Sequence, residues 1–253
     1  MTHLNPKVLR FDSLPSTNTE LSRLASEGAE EGVSVVADEQ TAGRGRLQRA
    51  WSSPKGAGLY FSILLRPKIA ANYWPLITMM AAVAVYDALG DVCRMRADIK
   101  WPNDLLSGER KICGILAEAI ETPSGRAVVV GIGINLTESA YPAELADVAT
   151  SISEATDRPA DREAILNGVL RWLTHWYALL SESAGPESIV NAWTNRSSYA
   201  FGKVVQVSNG DEVWQGTTCG LERDGALRLR TDDGQVKQIR AGDVYSVRLS
   251  STF

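Results

Sequence analysis

The texture of the chain changes at Phe201. Beyond it, apolar and polar residues alternate in five short runs, KVVQV, EVWQG, ALRLR, VKQI and VYSVRL. A period of two is the mark of half-buried strands. Asn209-Gly210, Asp224-Gly225 and Asp233-Gly234 punctuate the runs, and such pairs favour tight hairpin turns. This pattern predicts a small antiparallel barrel, SH3-like or OB-like.

The stretch before Phe201 mixes helices and strands. Thr17 and Glu20 have the spacing of a capping box and open a short helix that closes at Gly28. VSVVA (33–37) and GLYFSILL (58–65) read as strands. WPLITMMAAVAVYDALG reads as an apolar helix, with Pro75 in its first turn and Gly90 as its stop. MRADIKWPNDLL is a strand running into a turn, and RKICGILAEAI and RAVVVGIGINL pair around ETPSG. Helices follow from about Asp161 to Ser181 and around PESIVNAW. The expectation is an α+β chain in two domains, residues 1–198 and 199–253.

Several functions are excluded early. The two histidines are His3, near the terminus, and His175, inside a run of helical periodicity. A Ser-His-Asp triad or a histidine metal site is therefore not expected. Cys93, Cys113 and Cys219 are odd in number and widely spaced, as in a reduced cytoplasmic protein. The start lacks an apolar signal region, and no run reaches the roughly 18 apolar residues of a membrane span. Beyond residue 198 there are seven basic and seven acidic residues, so no basic excess marks a nucleic-acid reader.

Four stretches can carry chemistry. TAGRGRLQRAW (41–51) gathers Arg44, Arg46 and Arg49 with Gly43 and Gly45, in a chain of net charge -4. Glycines bring the backbone close to a ligand, and arginine forks grip phosphate or carboxylate. By charge pattern alone it is equally a solvated loop, and its spacing is not that of a P-loop. KWPNDLL delivers Lys100, Asn103 and Asp104 around a proline turn; Asp104 can hold Mg²⁺ beside phosphates, or simply complete an Asn-Asp turn. RKICGILAE brings Lys111 into a strand, where Gly114 signals close approach by a ligand or another backbone. Lys111 also fits a plain strand-edge lysine. In VVVGIGIN, Gly131 and Gly133 leave one strand face bare for a flat ligand or another strand. They do not form the dinucleotide fingerprint.

Taken in order, Ser16-Thr17-Asn18, Gln40 with GRGR and Trp51, KWPND, RKICGILAE and GIGIN resemble the biotin protein ligase family over nearly the whole chain. Lipoate ligases share that fold in outline, but their Arg-Arg followed by three glycines is absent here. The resemblance implies a mixed-sheet catalytic domain of the class II aminoacyl-tRNA-synthetase and biotin-ligase type, with an SH3-like barrel after it. It implies an ATP-dependent ligase that makes biotinyl-5′-adenylate and pyrophosphate with Mg²⁺, then biotinylates a lysine of a biotin carboxyl carrier domain. Arg44 and Arg46 would lie over the intermediate, and Arg46 and Lys111 would be catalytic. Ser16, Thr17, Asn18 and Gln40 would hold biotin, with backbone help at Gly43, Gly45 and Gly114. Arg49 would meet pyrophosphate, and Trp51 would wall the adenine. Lys100, Asn103 and Asn135 would serve the nucleotide, Asp104 the metal, and Gly131 and Gly133 the floor.

The chain departs from the family at Leu47-Gln48, where Arg-Gly is frequent. About fifteen residues precede Ser16, too few for the winged helix of the regulatory members. The expected protein is a cytoplasmic ligase without DNA or membrane partners, a monomer or weak homodimer. A lipoate or octanoate ligase, or a binding module, are the other readings; the balanced barrel speaks against a nucleic-acid module. Dense glycine and like charge predict that the loop 41–51 stays open until an anionic ligand arrives.

Overall fold

A computed structural model describes residues 4–210 and 212–246. His3 and the part of VYSVRL beyond residue 246 lie outside them. In chain order the elements are β1 (Lys7–Leu14), α1 (Thr17–Ser26), β2 (Val33–Gln40), β3 (Gly58–Leu65), α2 (Pro75–Cys93), β4 (Asp98–Lys100), β5 (Asp104–Ser107), β6 (Arg110–Thr122), β7 (Gly125–Asn135), α3 (Ile152–Thr156), α4 (Arg162–Leu180), α5 (Gly185–Thr194), β8 (Phe201–Asn209), β9 (Glu212–Leu221), β10 (Leu227–Arg230), β11 (Val236–Ile239) and β12 (Asp243–Ser246). A seven-stranded sheet has the order β1-β2-β3-β7-β6-β5-β4. Its β1–β2 pair is parallel and its other pairs are antiparallel, so the sheet is mixed, as expected. The alternating runs after Phe201 form a five-stranded antiparallel sheet, β11-β10-β9-β8-β12.

The lack of alternation in β3, apolar but for Ser62, has a simple reason: all eight of its positions are buried. A strand covered on both faces has no use for alternation. Leu59, Phe61, Ile63 and Leu65 join the main core with α2, α4 and α5, while Leu64 packs with Leu21 and Ala25 of α1. By length and composition α2 is the one described helix apolar enough to cross a membrane. Here it fills the core under the large sheet, with eleven of its residues buried.

Two sequence expectations shift. Gly90 does not stop α2, which runs on to Cys93 and ends with Arg94 in the left-handed region at φ 55°. Val92 carries it further by packing against α4: a Cβ at Gly168 would stand 3.0 Å from Val92 Cγ2. Strand β1 is absent from the sequence reading, because its edge residues, half of them exposed and none fully buried, carry no clean alternation.

The two sheets meet through a tight notch. Trp101 Nε1 donates to the Gly225 carbonyl at 3.0 Å. A Cβ at Gly225 would lie 2.7 Å from Met79 Sδ and 3.0 Å from Leu76 Cδ2, and its φ is +86°. Nearby, Lys100 Nζ sits 6.0 Å from the Tyr199 ring and 5.9 Å from the Tyr245 ring. Only a residue without a side chain fits the notch and tolerates that φ. Gly225→Ala should therefore lower the stability by about 1–3 kcal/mol, read as the shift of the urea unfolding midpoint at constant slope. An unchanged midpoint would show that the notch opens freely.

Candidate functional site

The site begins as a hole in the side-chain carpet of the large sheet. Gly114 of β6 lies opposite Gly133 of β7, and Leu116 opposite Gly131. Because neighbours on one strand face alternate, Gly131 and Gly133 share a face and leave it bare. The bare ground is not empty of protein. Trp51 lies on it: a Cβ at Gly133 would be 2.5 Å from Trp51 Nε1, and one at Gly114 would be 3.0 Å from Trp51 Cζ3. Asn18 covers Gly131, its Oδ1 standing 2.2 Å from where that Cβ would be. A cavity of about 260 Å³ opens around this floor.

At one end polar groups form a connected chain. Gln40 Oε1 accepts from the Thr17 amide at 2.9 Å and the Thr17 hydroxyl at 3.2 Å, and its Nε2 donates to Ser53 Oγ at 2.8 Å. Ser62 Oγ lies 2.7 Å from Thr17 Oγ1 and 2.6 Å from Asn18 Oδ1. Asn18 Nδ2 donates to Glu118 at 2.6 Å, and Glu118 meets Arg44 at 3.5 Å. This overturns the capping box expected at Thr17 and Glu20. Ser16 is the N-cap of α1, and its side chain makes no capping bond. Thr17 bonds to Gln40 instead, and the Ser16 hydroxyl is left to line the cavity.

Cations occupy the middle. Lys111 Nζ pairs with Asp104 Oδ1 at 2.6 Å and stands 5.2 Å from the Trp51 ring, within cation–π range. Arg46 Nη1 is 3.3 Å from Asn103 Oδ1, and Asn103 is itself anchored by donating to the Ile115 carbonyl at 2.8 Å. The third part is an apolar wall from the segment after β7, where Tyr141, Leu145 and Val148 line the cavity. Lys111 N–H donates to the Val148 carbonyl at 2.8 Å, which ties this wall to β6. Burial and then a hydrogen bond to Glu154 push the Tyr141 phenol up to about 12.

The arginine loop folds back on itself. Gly45 N–H donates to the Arg49 carbonyl at 2.8 Å and Trp51 N–H to the Gly43 carbonyl at 2.9 Å, which makes a small hairpin. Its like charges are countered from the other sheet: Asp243 of β12 pairs with Arg46 at 3.3 Å and also with Arg49.

Comparison with known proteins gives the same direction. The model of the biotin/lipoate A/B protein ligase family matches residues 10–135, and that of the biotin protein ligase C terminal domain matches residues 200–246. A biotin–[acetyl-CoA-carboxylase] ligase of Paracoccus denitrificans is 36% identical over 238 residues, covering 91% of this chain and 96% of that one. The chain belongs to the biotin protein ligase family. The bifunctional ligase/repressor BirA of Bacillus subtilis is 37% identical over 94% of this chain and 73% of its own length. The biotin protein ligase of Aquifex aeolicus, solved in complex with biotin and ATP, superposes with a TM-score of 0.83 at 30% identity, over 96% of this chain and 99% of that one.

The residues expected from the family mostly converge. Ser16, Thr17, Asn18, Gln40, Arg44 and Gly45 line the cavity, as do Arg46, Arg49, Trp51, Asn103 and Asp104. Lys111, Gly114, Gly131, Gly133 and Asn135 complete that set. Two do not join it. Gly43 is buried beneath the hairpin, where a Cβ would stand 2.4 Å from the Trp51 carbonyl oxygen. Lys100 lies outside the lining, near Tyr199 and near Tyr245 of the small sheet, and burial lowers its pKa. Asn135 lines the cavity but spends its amide on protein: Nδ2 donates to the Thr150 and Lys111 carbonyls at 2.9 and 3.4 Å.

The sequence reading missed the wall at Tyr141, Leu145 and Val148, and it missed Asp243. The wall's signal is that Leu145 and Val148 are exposed and apolar; Asp243 was hidden within a balanced set of charges.

The family departure at Leu47-Gln48 has a structural expression. Both residues have positive φ, 54° and 58°, and Arg49 N–H donates to the Arg46 carbonyl at 3.2 Å. Two such residues make the type I′ turn that favours Asn-Gly. A leucine and a glutamine there each carry a strain of about 1–2 kcal/mol. Changing the pair to Asn-Gly should stabilise the hairpin and slow hydrogen exchange at the Gly45 and Trp51 amides roughly fivefold or more. Exchange as fast as in the parent chain would show that the turn is not strained.

Proposed function

We propose that this protein joins biotin to ATP, giving biotinyl-5′-adenylate and pyrophosphate, and then moves the biotinyl group to a lysine amine of a carrier domain. One observation carries the reading. A single cavity joins a hydrogen-bonding end at Ser16, Thr17 and Gln40, a cationic middle at Arg46 and Lys111, and an aromatic and apolar end at Trp51, Tyr141 and Val148. The parts match a ureido ring, a carboxylate facing a phosphate, and an adenine.

In the first step a biotin carboxylate oxygen attacks the α-phosphorus of ATP. The new P–O bond forms as the bond to the bridging oxygen breaks, and pyrophosphate departs with that electron pair. Nucleophile and electrophile are both anionic, so the barrier is chiefly electrostatic. Lys111 and Arg46 supply positive charge there, and Trp51 and the floor glycines exclude water. The ureido ring is polar and must be hydrogen-bonded once buried; Ser16, Thr17, Asn18 and Gln40 serve it. In the second step a neutral lysine amine attacks the acyl carbon, the bond to the adenylate oxygen breaks, and AMP leaves.

Mg²⁺ would arrive with the phosphates. Among the described residues no cluster of three His, Cys, Asp or Glu side chains could hold a metal by itself. Asp104 fits the one-carboxylate role that Mg²⁺ takes beside phosphate oxygens and water, because among the described residues its buried Oδ1 accepts no hydrogen bond and meets the Lys111 ammonium alone. When bound, the ion would offset phosphate charge.

The acceptor we infer is a carboxylase carrier domain, in line with the name of the Paracoccus relative. The catalytic unit would span residues 1–198, and the unit from residue 199 would complete it through Asp243. A reducing, cytoplasmic setting agrees with the free Cys93, Cys113 and Cys219; burial holds the Cys113 thiol well above its usual range.

Biotin-dependent exchange of pyrophosphate into ATP tests the reading. Biotin should drive exchange and lipoate should not; the reverse would make the chain a lipoate ligase. Lys111→Ala should lower the exchange rate by about 10²–10³. Undiminished exchange in that variant would remove Lys111 from the chemistry.

A further inference from the structure

Asp243 belongs to the small sheet, yet its carboxylate reaches into the arginine hairpin of the large one. Oδ1 stands 3.3 Å from Arg46 Nη1, and Oδ2 pairs with Arg49 Nη2. The carbonyl of the preceding Gly242 accepts from the same Arg46 nitrogen at 3.1 Å. One dipeptide thus presents a backbone and a side-chain acceptor to a single guanidinium.

The dipeptide is itself rigidly held. Asp243 pairs with Ser208 of β8. A Cβ at Gly242 would stand 2.8 Å from the Ser208 carbonyl oxygen, and its φ is +147°. No larger residue could let β12 approach β8 so closely there. The side chain of Asp243 is 17% exposed while that of Arg49 is 59% exposed. The acid is the fixed member of the pair, and the arginine comes to it.

The hairpin needs such a partner. Arg46 and Arg49 flank a turn whose two central residues both have positive φ, and two like charges so close repel. A carboxylate between them relieves the repulsion and sets the direction of both forks. The trio keeps a net positive charge, so an arriving polyanion is still attracted.

We propose that Asp243, which lines the same cavity, is a positioning residue of the ligase: it holds Arg46 and Arg49 in the arrangement that receives the phosphates of ATP. The proposal rests on the reading of the cavity as an ATP site. It also gives the small sheet a part in the first reaction step.

Asp243→Asn keeps the shape and removes the charge. Charge-assisted hydrogen bonds of this kind are worth enough to predict a rise of about tenfold or more in KM for ATP in the exchange reaction. KM for biotin should rise less than KM for ATP, since the groups assigned to the ureido ring are bonded independently of Asp243 and only the carboxylate end meets Arg46. Asp243→Glu should recover part of the ATP affinity. Limited trypsin digestion of the ligand-free protein gives a readout free of catalysis: cleavage after Arg46 and Arg49 should be faster in Asp243→Asn than in the parent or in Asp243→Glu.

An unchanged KM for ATP with unchanged cleavage would overturn the proposal, even if the unfolding temperature fell. A lower KM for ATP would overturn it too, because the acid would then be competing with phosphate. If the parent chain showed no biotin-dependent exchange, the ligase reading would fail on its own. The trypsin comparison would still decide whether Asp243 orders the arginines.

Discussion

Everything at the site depends on three absent side chains. At its centre the large sheet is packed on both faces, to the point that β3 exposes nothing. Gly114, Gly131 and Gly133 interrupt that packing on adjacent strands, and Trp51 and Asn18 settle into the space they leave. A methyl group at Gly133 would collide with the indole, and one at Gly131 with the Asn18 carboxamide. The cavity is therefore a consequence of backbone left bare. Glycine costs conformational entropy in a strand, and here that cost is exchanged for a floor on which flat groups can lie.

Around the floor, fixed and adjustable parts are separated. Lys111, Gly114, Gly131, Gly133 and Asn135 all belong to the hairpin of β6 and β7, whose strands pair without a break from Cys113–Ile134 to Thr122–Gly125. Gly114, Gly131 and Gly133 take their mutual geometry from that regular ladder, and Lys111 and Asn135 lie just beyond its end. The arginine hairpin is bound to this body by fewer and more polar contacts, with Asn103 on one side and Asp243 on the other. In a reaction whose difficulty is the approach of two anions, a rigid cation on the sheet and a second set on a loop form a reasonable division.

Much of the fold was legible because it rests on local rules. GLYFSILL, the hairpin around ETPSG and the long helix ending near Ser181 follow from apolar runs and turn residues, and each is observed within a residue or a few of the expectation. The failures came where tertiary contacts override a local signal. Gly90 reads as a stop until packing against α4 is known. Thr17 and Glu20 read as a cap until Gln40 is seen to take the hydroxyl. Arg44, Arg46, Lys111 and the floor glycines were readable as types of residue suited to an anion. Asp243 was not, because its meaning depends on two arginines nearly two hundred positions earlier, and no pattern along the chain brings them together. Lys100 shows the same limit: nothing in KWPND tells that its ammonium turns toward Tyr199 and Tyr245.

The polar chain from Gln40 through Thr17, Ser62 and Asn18 to Glu118 is drawn from β2, α1, β3 and β6. Each member is satisfied by the next, and in a buried network the loss of one partner leaves another unpaired. A change of ligand preference at this end could not proceed by drift at a single position. It would require coordinated replacement on several elements at once, so this end of the cavity should be among the slowest features of this enzyme to evolve.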